Sequence, residues 1–270
     1  MKPYLKRAWA EISLSALEAN IRAISASLQG NTQIMAVVKA DAYGHGEAEI
    51  LQKLTQIGVR YFAVSNLDEA LHVRQYCPDS DVLILGYTPP EYADTLAQNN
   101  IIQGIVSAEY ACTLNARTRT PIRCHVKLDT GMGRIGITGD TPGDCADSIQ
   151  DMSFLRNLKI EGIYTHFAVA DMPDDPEQKA YTEAQKQFIR SVGTELMKRG
   201  VHLKHLHYLN SAGVLYHNDA NSTLARVGII MYGLAPNYPL PVPLDLKPVL
   251  SLKAVISHIK RVQPGTSISY

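Results

Sequence analysis

Hydrophobic residues along this chain fall into short unbroken runs, and the segments between the runs carry apolar positions at helical spacing. The first run, Ile34-Met-Ala-Val-Val38, stops abruptly at Lys39. A continuous apolar stretch of this kind reads as a strand buried on both faces, as in a parallel sheet. Similar runs predict strands over 61–65, 82–85, 101–106, 122–128, 158–164, 205–209 and 224–230. Helices are predicted between them at 48–54, 67–76, 90–98, 108–116, 141–150 and 177–199, with a short one from Ser211, and Gly58 and Gly200 act as stops. A leading helix opens at a capping box of Ser15 and Glu18 and places Leu17, Ile21, Ile24 and Leu28 on one face. Eight strands alternating with helices predict an α/β fold, a (β/α)8 TIM-type barrel, over residues 1–235.

The pattern changes after Tyr232-Gly-Leu. Pro236, Pro239, Pro241, Pro243 and Pro248 exclude a helix and predict an extended linker. Residues 250–260 alternate like a half-buried strand, and Pro264-Gly265 reads as a turn before Ile268-Ser-Tyr270. Residues 236–270 are too few for an independent β domain, so they read as a linker and the first strands of a C-terminal β domain cut short. Residues 1–12 hold the sole tryptophan, Trp9, and predict a short initial strand; residues 1–10 are available to pair with the β domain.

Composition excludes more than it selects. At 270 residues and 46% hydrophobic content the chain can bury a sizeable core. A formal net charge of zero gives no field to attract nucleic acid. The apolar runs are far shorter than the ~20 residues that span a bilayer, and no signal-peptide core opens the chain. The expectation is a cytoplasmic protein without a membrane partner. Cys77, Cys112, Cys124 and Cys145 stand singly and are expected to be reduced. His202, His205 and His207 look superficially like a metal cluster, but a strand around Leu206 would put only His205 and His207 on one face, and no metal is expected.

The candidate chemistry collects at predicted strand ends. In a parallel α/β barrel the loops after the carboxyl ends of the strands converge on one mouth. Lys39 sits at such an end, and Tyr43, Gly44 and Gly46 follow in a loop whose glycines permit positive φ and close approach of backbone to a ligand. A lysine desolvated there can react through its neutral amine to form a Schiff base, and the carbonyl cofactor that suits the site is pyridoxal 5′-phosphate. Lys127, Asp129 and Arg134 follow the fifth barrel strand, His166 the sixth, and Asn210 and Ser211 the seventh; Arg226, Gly228 and Ile229 lie within or after the eighth. Barrels of this type bind phosphate with the loops after the last two strands. Ser211 at a helix start, the N–H groups of Gly228 and Ile229, and the Tyr43 hydroxyl make a phosphate site that needs no lysine or arginine.

Taken together these motifs resemble the alanine racemases, fold-type III pyridoxal-phosphate enzymes. The likeness rests on Ala36-Val-Val-Lys39-Ala-Asp-Ala-Tyr43-Gly-His-Gly, Lys127-Leu-Asp-Thr-Gly-Met-Gly-Arg134-Ile-Gly, Tyr164-Thr-His166-Phe, Asn210-Ser211-Ala, Arg226-Val-Gly228-Ile229 and Gly265-Thr-Ser-Ile-Ser-Tyr270, and it runs from end to end of the chain. It implies a homodimeric enzyme that interconverts L- and D-alanine on pyridoxal phosphate and supplies D-alanine for cell-wall peptidoglycan. Residue by residue, it implies Lys39 as the cofactor-bearing base and Tyr270 as the second acid–base, lent to the neighbouring subunit's site. Arg134 would bind near the substrate, supported by a carbamylated Lys127. His166 would lie near the pyridine ring and Arg226 would hydrogen-bond its nitrogen, while Tyr43, Leu85, Asn210, Ser211, Gly228 and Ile229 would complete the cofactor site. Racemisation needs two bases on opposite faces of the α-carbon, which a lysine and a tyrosine can supply. An arginine is always protonated and can only donate, so a ring nitrogen facing it stays neutral, which favours return of the proton to the α-carbon over transamination. Family members continue well past the tyrosine on which this sequence stops, so the expectation is a chain that lacks most of its C-terminal β domain and is weakly active or inactive alone. Rival readings are a racemase of serine or of many amino acids, and a non-catalytic pyridoxal-phosphate-binding barrel, which would have no use for residues 236–270.

Overall fold

The computed structural model describes residues 6–235 and 244–270. Its strands are β1 (Ala8–Ile12), β2 (Gln33–Val37), β3 (Tyr61–Val64), β4 (Asp81–Ile84), β5 (Ile101–Ile105), β6 (Ile122–Lys127), β7 (Leu158–Tyr164), β8 (His205–His207), β9 (Leu224–Val227) and β10 (Leu250–Ala254). The helices are α1 (Leu14–Ser27), α2 (Glu47–Gln56), α3 (Leu67–Tyr76), α4 (Ala93–Gln98), α5 (Ala108–Arg117), α6 (Pro142–Ser153), α7 (Pro176–Lys198) and α8 (Ser211–Tyr216). Strands β2 to β9 form one eight-stranded sheet, parallel at every pairing and ordered β8-β7-β6-β5-β4-β3-β2-β9. The two ends of that order meet: Arg226 N–H donates to Leu209 O at 2.9 Å and Thr223 N–H to Leu206 O at 2.8 Å. The fold is a (β/α)8 barrel.

Alternation along each strand sorts side chains between two cores. Ile34, Ala36 and Val38 of the first barrel strand and its loop face the helices, where they join Leu17, Ile24, Ile50, Leu54 and Phe62 in the main apolar cluster. Met35 and Val37 face inward and pack with Ala63, Leu83, Ile102 and Leu224. In register with these positions, β6 to β9 place His125, Lys127, Tyr164, His205, His207 and Arg226. The barrel interior is thus apolar on the β2–β5 side and polar on the β6–β9 side.

Most helix starts follow from their caps. Asn66, Ser107, Thr141 and Asp175 each accept backbone N–H groups of the first turn, and Thr141 with Asp144 forms a full capping box ahead of Pro142. The predicted Ser15–Glu18 box is not the one used. α1 starts at Leu14 and is capped by Ser13, whose hydroxyl accepts the Ala16 N–H at 3.2 Å. Glu18 instead pairs with Arg22 at 2.7 Å and with Lys53 of α2. The last barrel strand is also shorter than 224–230, because Ile229–Tyr232 turns into a 3-10 helix at Gly228.

Strand β1 pairs antiparallel with β10, with Ala8 opposite Ala254 and Ile12 opposite Leu250. The predicted strand over 250–260 stops at Ala254. Among the described residues it pairs with a single five-residue strand, and every residue from Ser251 to Tyr270 is exposed, so no second face is packed to carry the ladder further. A turn does form at Pro264-Gly265, closed by Thr266 N–H to Gln263 O at 3.1 Å. Pro248 lies in a stretch without regular secondary structure, while Pro236, Pro239, Pro241 and Pro243 lie outside the described residues. Among the described residues no helix is long and apolar enough to cross a membrane.

Candidate active site

A cavity of about 330 Å³ opens at the carboxyl ends of the barrel strands, and Lys39, Tyr43, Leu85, His166, Asn210, Ser211, Arg226, Gly228 and Ile229 all line it. A larger cavity of about 500 Å³ lies at the opposite edge, by Gln33, Arg60 and Tyr61 at the amino ends of β2 and β3; none of the candidate residues lines it.

Lys39 is half-buried and leaves β2 into an unusual turn. Ala40, Asp41, Ala42 and Tyr43 all have left-handed backbone, with φ between 53° and 57°. None is a glycine, and left-handed conformation costs an L-residue ~1–2 kcal/mol, so the turn stores ~4–8 kcal/mol that its surroundings must offset. Ala42 N–H donates to Val38 O at 3.0 Å, Gly46 N–H to Asp41 O at 3.2 Å, and Glu47 N–H to the Asp41 carboxylate at 2.7 Å. Positive φ continues at Gly44 and Gly46, where a loop had been expected to need it. The reversed turn brings the Tyr43 phenol back over the mouth, with its ring 5.9 Å from Lys39 Nζ. Burial raises the Tyr43 pKa, so the hydroxyl stays protonated and able to donate.

On the far side of the cavity Asn210 caps α8, accepting the Gly213 N–H at 2.8 Å. Ser211 Oγ accepts the Gly228 N–H at 3.1 Å. A β-carbon on Gly228 would stand 2.9 Å from Tyr43 Oη and 3.7 Å from Ser211 Oγ. Only a residue without a side chain leaves that concavity open, and it is edged by two hydroxyls and the backbone at the start of the 3-10 helix.

Arg226 is buried and organises the cavity floor. One guanidinium nitrogen donates to His207 Nδ1 at 3.0 Å and His207 O at 3.1 Å; the other donates to Thr165 O at 2.5 Å and approaches His166 Nδ1 at 3.5 Å. Burial pushes Arg226 down to about 10, still a cation at neutral pH. Arg226 donates to His207 Nδ1, which leaves the proton on His207 Nε2 to donate to His125 Nδ1 at 2.9 Å. Burial, and then the nearby Arg226, Arg134, Lys127 and Lys39, lower His166 to about 3, so its ring is neutral.

Lys127 points into the barrel with 4% exposure, and among the described residues no carboxylate lies within ion-pair distance of it. Burial first, and then Arg134 and Arg226, push it down to about 8. The loop after it is tied by one side chain. The Asp129 carboxylate accepts the N–H groups of Gly131, Gly133 and Arg134 at 3.1, 3.0 and 2.9 Å. Burial alone would raise Asp129, but these donors outweigh it and hold it below the usual carboxylate range. Arg134 is exposed and does not line the cavity, while Met132 of the same loop does. Tyr270 is fully exposed, outside the cavity lining.

His207 and Thr165 hold Arg226; in the sequence His207 reads only as part of an apparent metal cluster, and Thr165 and the lining residues Phe167 and Met132 stand in motifs with no role of their own. The His205-Leu-His207 alternation does point both histidines inward, a signal legible at period two; their partner His125 lies on β6 and could be linked to them only by the fold.

Comparison with known proteins gives one consistent family. The family described as alanine racemase, N-terminal domain, matches residues 12–236. An amino-acid racemase of Enterococcus faecalis is 37% identical over 98% of this chain, which spans 37% of that protein's length. An alanine racemase of Desulfovibrio desulfuricans is 38% identical over 97% of the chain, which spans 70% of it. Among solved structures, an alanine racemase of Clostridium difficile 630 matches with a TM-score of 0.89 and 34% identity, covering 99% of this chain and 70% of that one.

Proposed function

The chain belongs to the alanine racemase family, and from that premise we propose that it is a pyridoxal-phosphate-dependent racemase interconverting L- and D-alanine by a two-base mechanism, acting as a homodimer in the cytoplasm and supplying D-alanine for peptidoglycan. The observation that carries the reading is one cavity lined at once by the strand-end Lys39 and by the concavity of Tyr43, Ser211 and Gly228. That concavity offers the Tyr43 and Ser211 hydroxyls and the Ile229 N–H to a phosphate, with the Gly228 N–H donating to Ser211 Oγ at its edge, which fits the cofactor. Tyr43, Ser211, Gly228 and Ile229 would hold the phosphate, Lys39 Nζ the carbonyl carbon, and Arg226 the ring nitrogen, with His166, Asn210 and Leu85 beside the ring. When bound, pyridoxal phosphate supplies the electron sink that makes the α-proton of an amino acid acidic.

The remaining steps belong to this chain's residues. Lys39 takes or returns the proton at the α-carbon from the face it occupies. Tyr270 acts on the opposite face of a neighbouring subunit's substrate. Arg226, a permanent donor, would keep a ring nitrogen held against it unprotonated, which would favour return of the proton to the α-carbon. Arg134, which is exposed and outside the cavity lining, would bind near the substrate only if its loop turns inward when substrate is present. Lys127 is a candidate for carbamylation: an amine lowered to about 8 is partly neutral and nucleophilic, and the anion formed would sit near two arginines. A broader amino-acid specificity is the second reading, favoured by the likeness to the Enterococcus faecalis amino-acid racemase.

The test has two arms. Protein incubated with pyridoxal phosphate and reduced with borohydride is digested, and the pyridoxyl group is expected on the Lys39 peptide. Deuterium incorporation at the α-carbon of L-alanine, L-serine and L-histidine in deuterated solvent then reports the reaction and its selectivity. Trapping on Lys127, or no trapping at all, refutes the assignment.

A further inference from the structure

Glu69 lies on α3, away from the cavity lining, yet its side chain reaches the residue next to Lys39. Asn66 caps α3 by accepting the Glu69 N–H at 3.0 Å. A carboxylate at this third position ordinarily turns back to the N–H of the capping residue itself. Glu69 does something else. Its Oε2 accepts the Ser65 N–H at 2.7 Å, and its Oε1 accepts the Ala40 N–H at 2.8 Å. One carboxylate therefore bridges two successive βα loops, after β2 and after β3.

We propose that Glu69 is a positioning residue for Lys39: by clamping Ala40 N–H to Ser65 N–H it fixes the near end of the left-handed turn and so the direction in which Lys39 leaves β2. The proposal rests on the reading of Lys39 as the cofactor-bearing lysine. Ala40 is the first of the four left-handed residues. The other restraints on the turn act further along, at Ala42, Gly46 and Glu47. A strained turn held at only one end relaxes at the other, and here the other end carries the reactive amine. Only a carboxylate can accept both N–H groups, one on each oxygen. In Glu69→Gln one of the two positions becomes an NH2 group facing an N–H, so the shape is kept and the clamp is lost.

The test compares wild type, Glu69→Gln and, as a charge control, the exposed Glu91→Gln. Amide hydrogen exchange is read at Ala40 and at Ile84, and pyridoxyl trapped on Lys39 by borohydride is followed against pyridoxal phosphate concentration. Losing a hydrogen bond to a charged acceptor should speed exchange at Ala40 ~10–100-fold and leave Ile84 unchanged. The concentration that half-saturates trapping on Lys39 should rise at least ~10-fold, while Glu91→Gln matches wild type. If Glu69→Gln traps like wild type, the positioning role is overturned, whether or not Ala40 exchanges faster, and the Lys39 reading stands. If exchange quickens equally at Ala40 and Ile84, the residue is merely structural and the proposal is again overturned. If wild type traps the group elsewhere than Lys39, both readings fall.

Discussion

The polar half of the barrel interior makes a sharp prediction about acid. His125, His205 and His207 are at most 5% exposed, and burial is the largest cause of lowering in each. His125 is pushed down to about 3, His205 to about 4, and His207 well below the ordinary value. A folded-state pKa below the unfolded one means that the unfolded chain binds the proton first. Above pH ~6.5 neither state is charged and nothing is lost; as pH falls through that value stability drops, until the folded pKa values near 3 to 4 are reached. At ~1.4 kcal/mol per pH unit and site, the three together cost ~6 kcal/mol between pH 7 and pH 5, a large part of the ~5–15 kcal/mol that a domain has. Carboxylates act in a lower window. Burial alone would raise Glu161, but Arg123 and Lys159 hold it at about 2, so its share is lost only as pH falls below ~4.5. Urea unfolding at pH 7.0, 6.0 and 5.0 is the assay, with His205→Asn expected to remove ~1.4 kcal/mol per pH unit from the slope. A loss below ~2 kcal/mol over that range would show that the histidine column is open to water or already charged.

Other outcomes follow from single contacts. Gly228→Ala should weaken pyridoxal phosphate binding ~10-fold or more with little change in melting temperature, because the new methyl meets the Tyr43 hydroxyl and not the core; titration of trapped pyridoxyl checks it. Arg226→Ala leaves His207 Nδ1 and Thr165 O without their donor and should lower unfolding free energy by at least ~3 kcal/mol, measured in urea. In labelled bicarbonate, label should be found on Lys127 by mass spectrometry and be absent from Lys127→Met; equal uptake by both refutes carbamylation. Ser13→Ala should cost ~1 kcal/mol and Ser15→Ala only a few tenths, since Ser13 is the cap of α1.

Periodicity alone was enough for the barrel. Buried parallel strands announce themselves as unbroken apolar runs, and the helices between them by apolar positions at helical spacing and by stops such as Gly58 and Gly200, so element order and fold class are legible without contacts. The strand-end positions of Lys39, His166, Ser211 and Arg226 were legible for the same reason, because a parallel barrel sends every carboxyl end to one mouth. Tertiary structure decided what local rules cannot reach. Nothing in Ala40-Asp-Ala-Tyr43 taken together asks for left-handed backbone; that conformation is unfavourable and persists because Val38 O and Glu69 hold the turn from outside and the Asp41 carboxylate ties it to Glu47. Ser13 rather than Ser15 is the cap, and Glu18, instead of closing a box, pairs with Lys53 on a neighbouring helix. The pairing of His125 with His207, 82 residues apart, depends on the register of three strands around a closed sheet. A sequence states what each residue prefers within a few positions of itself, and a barrel interior is made of residues that meet only after the ring has closed.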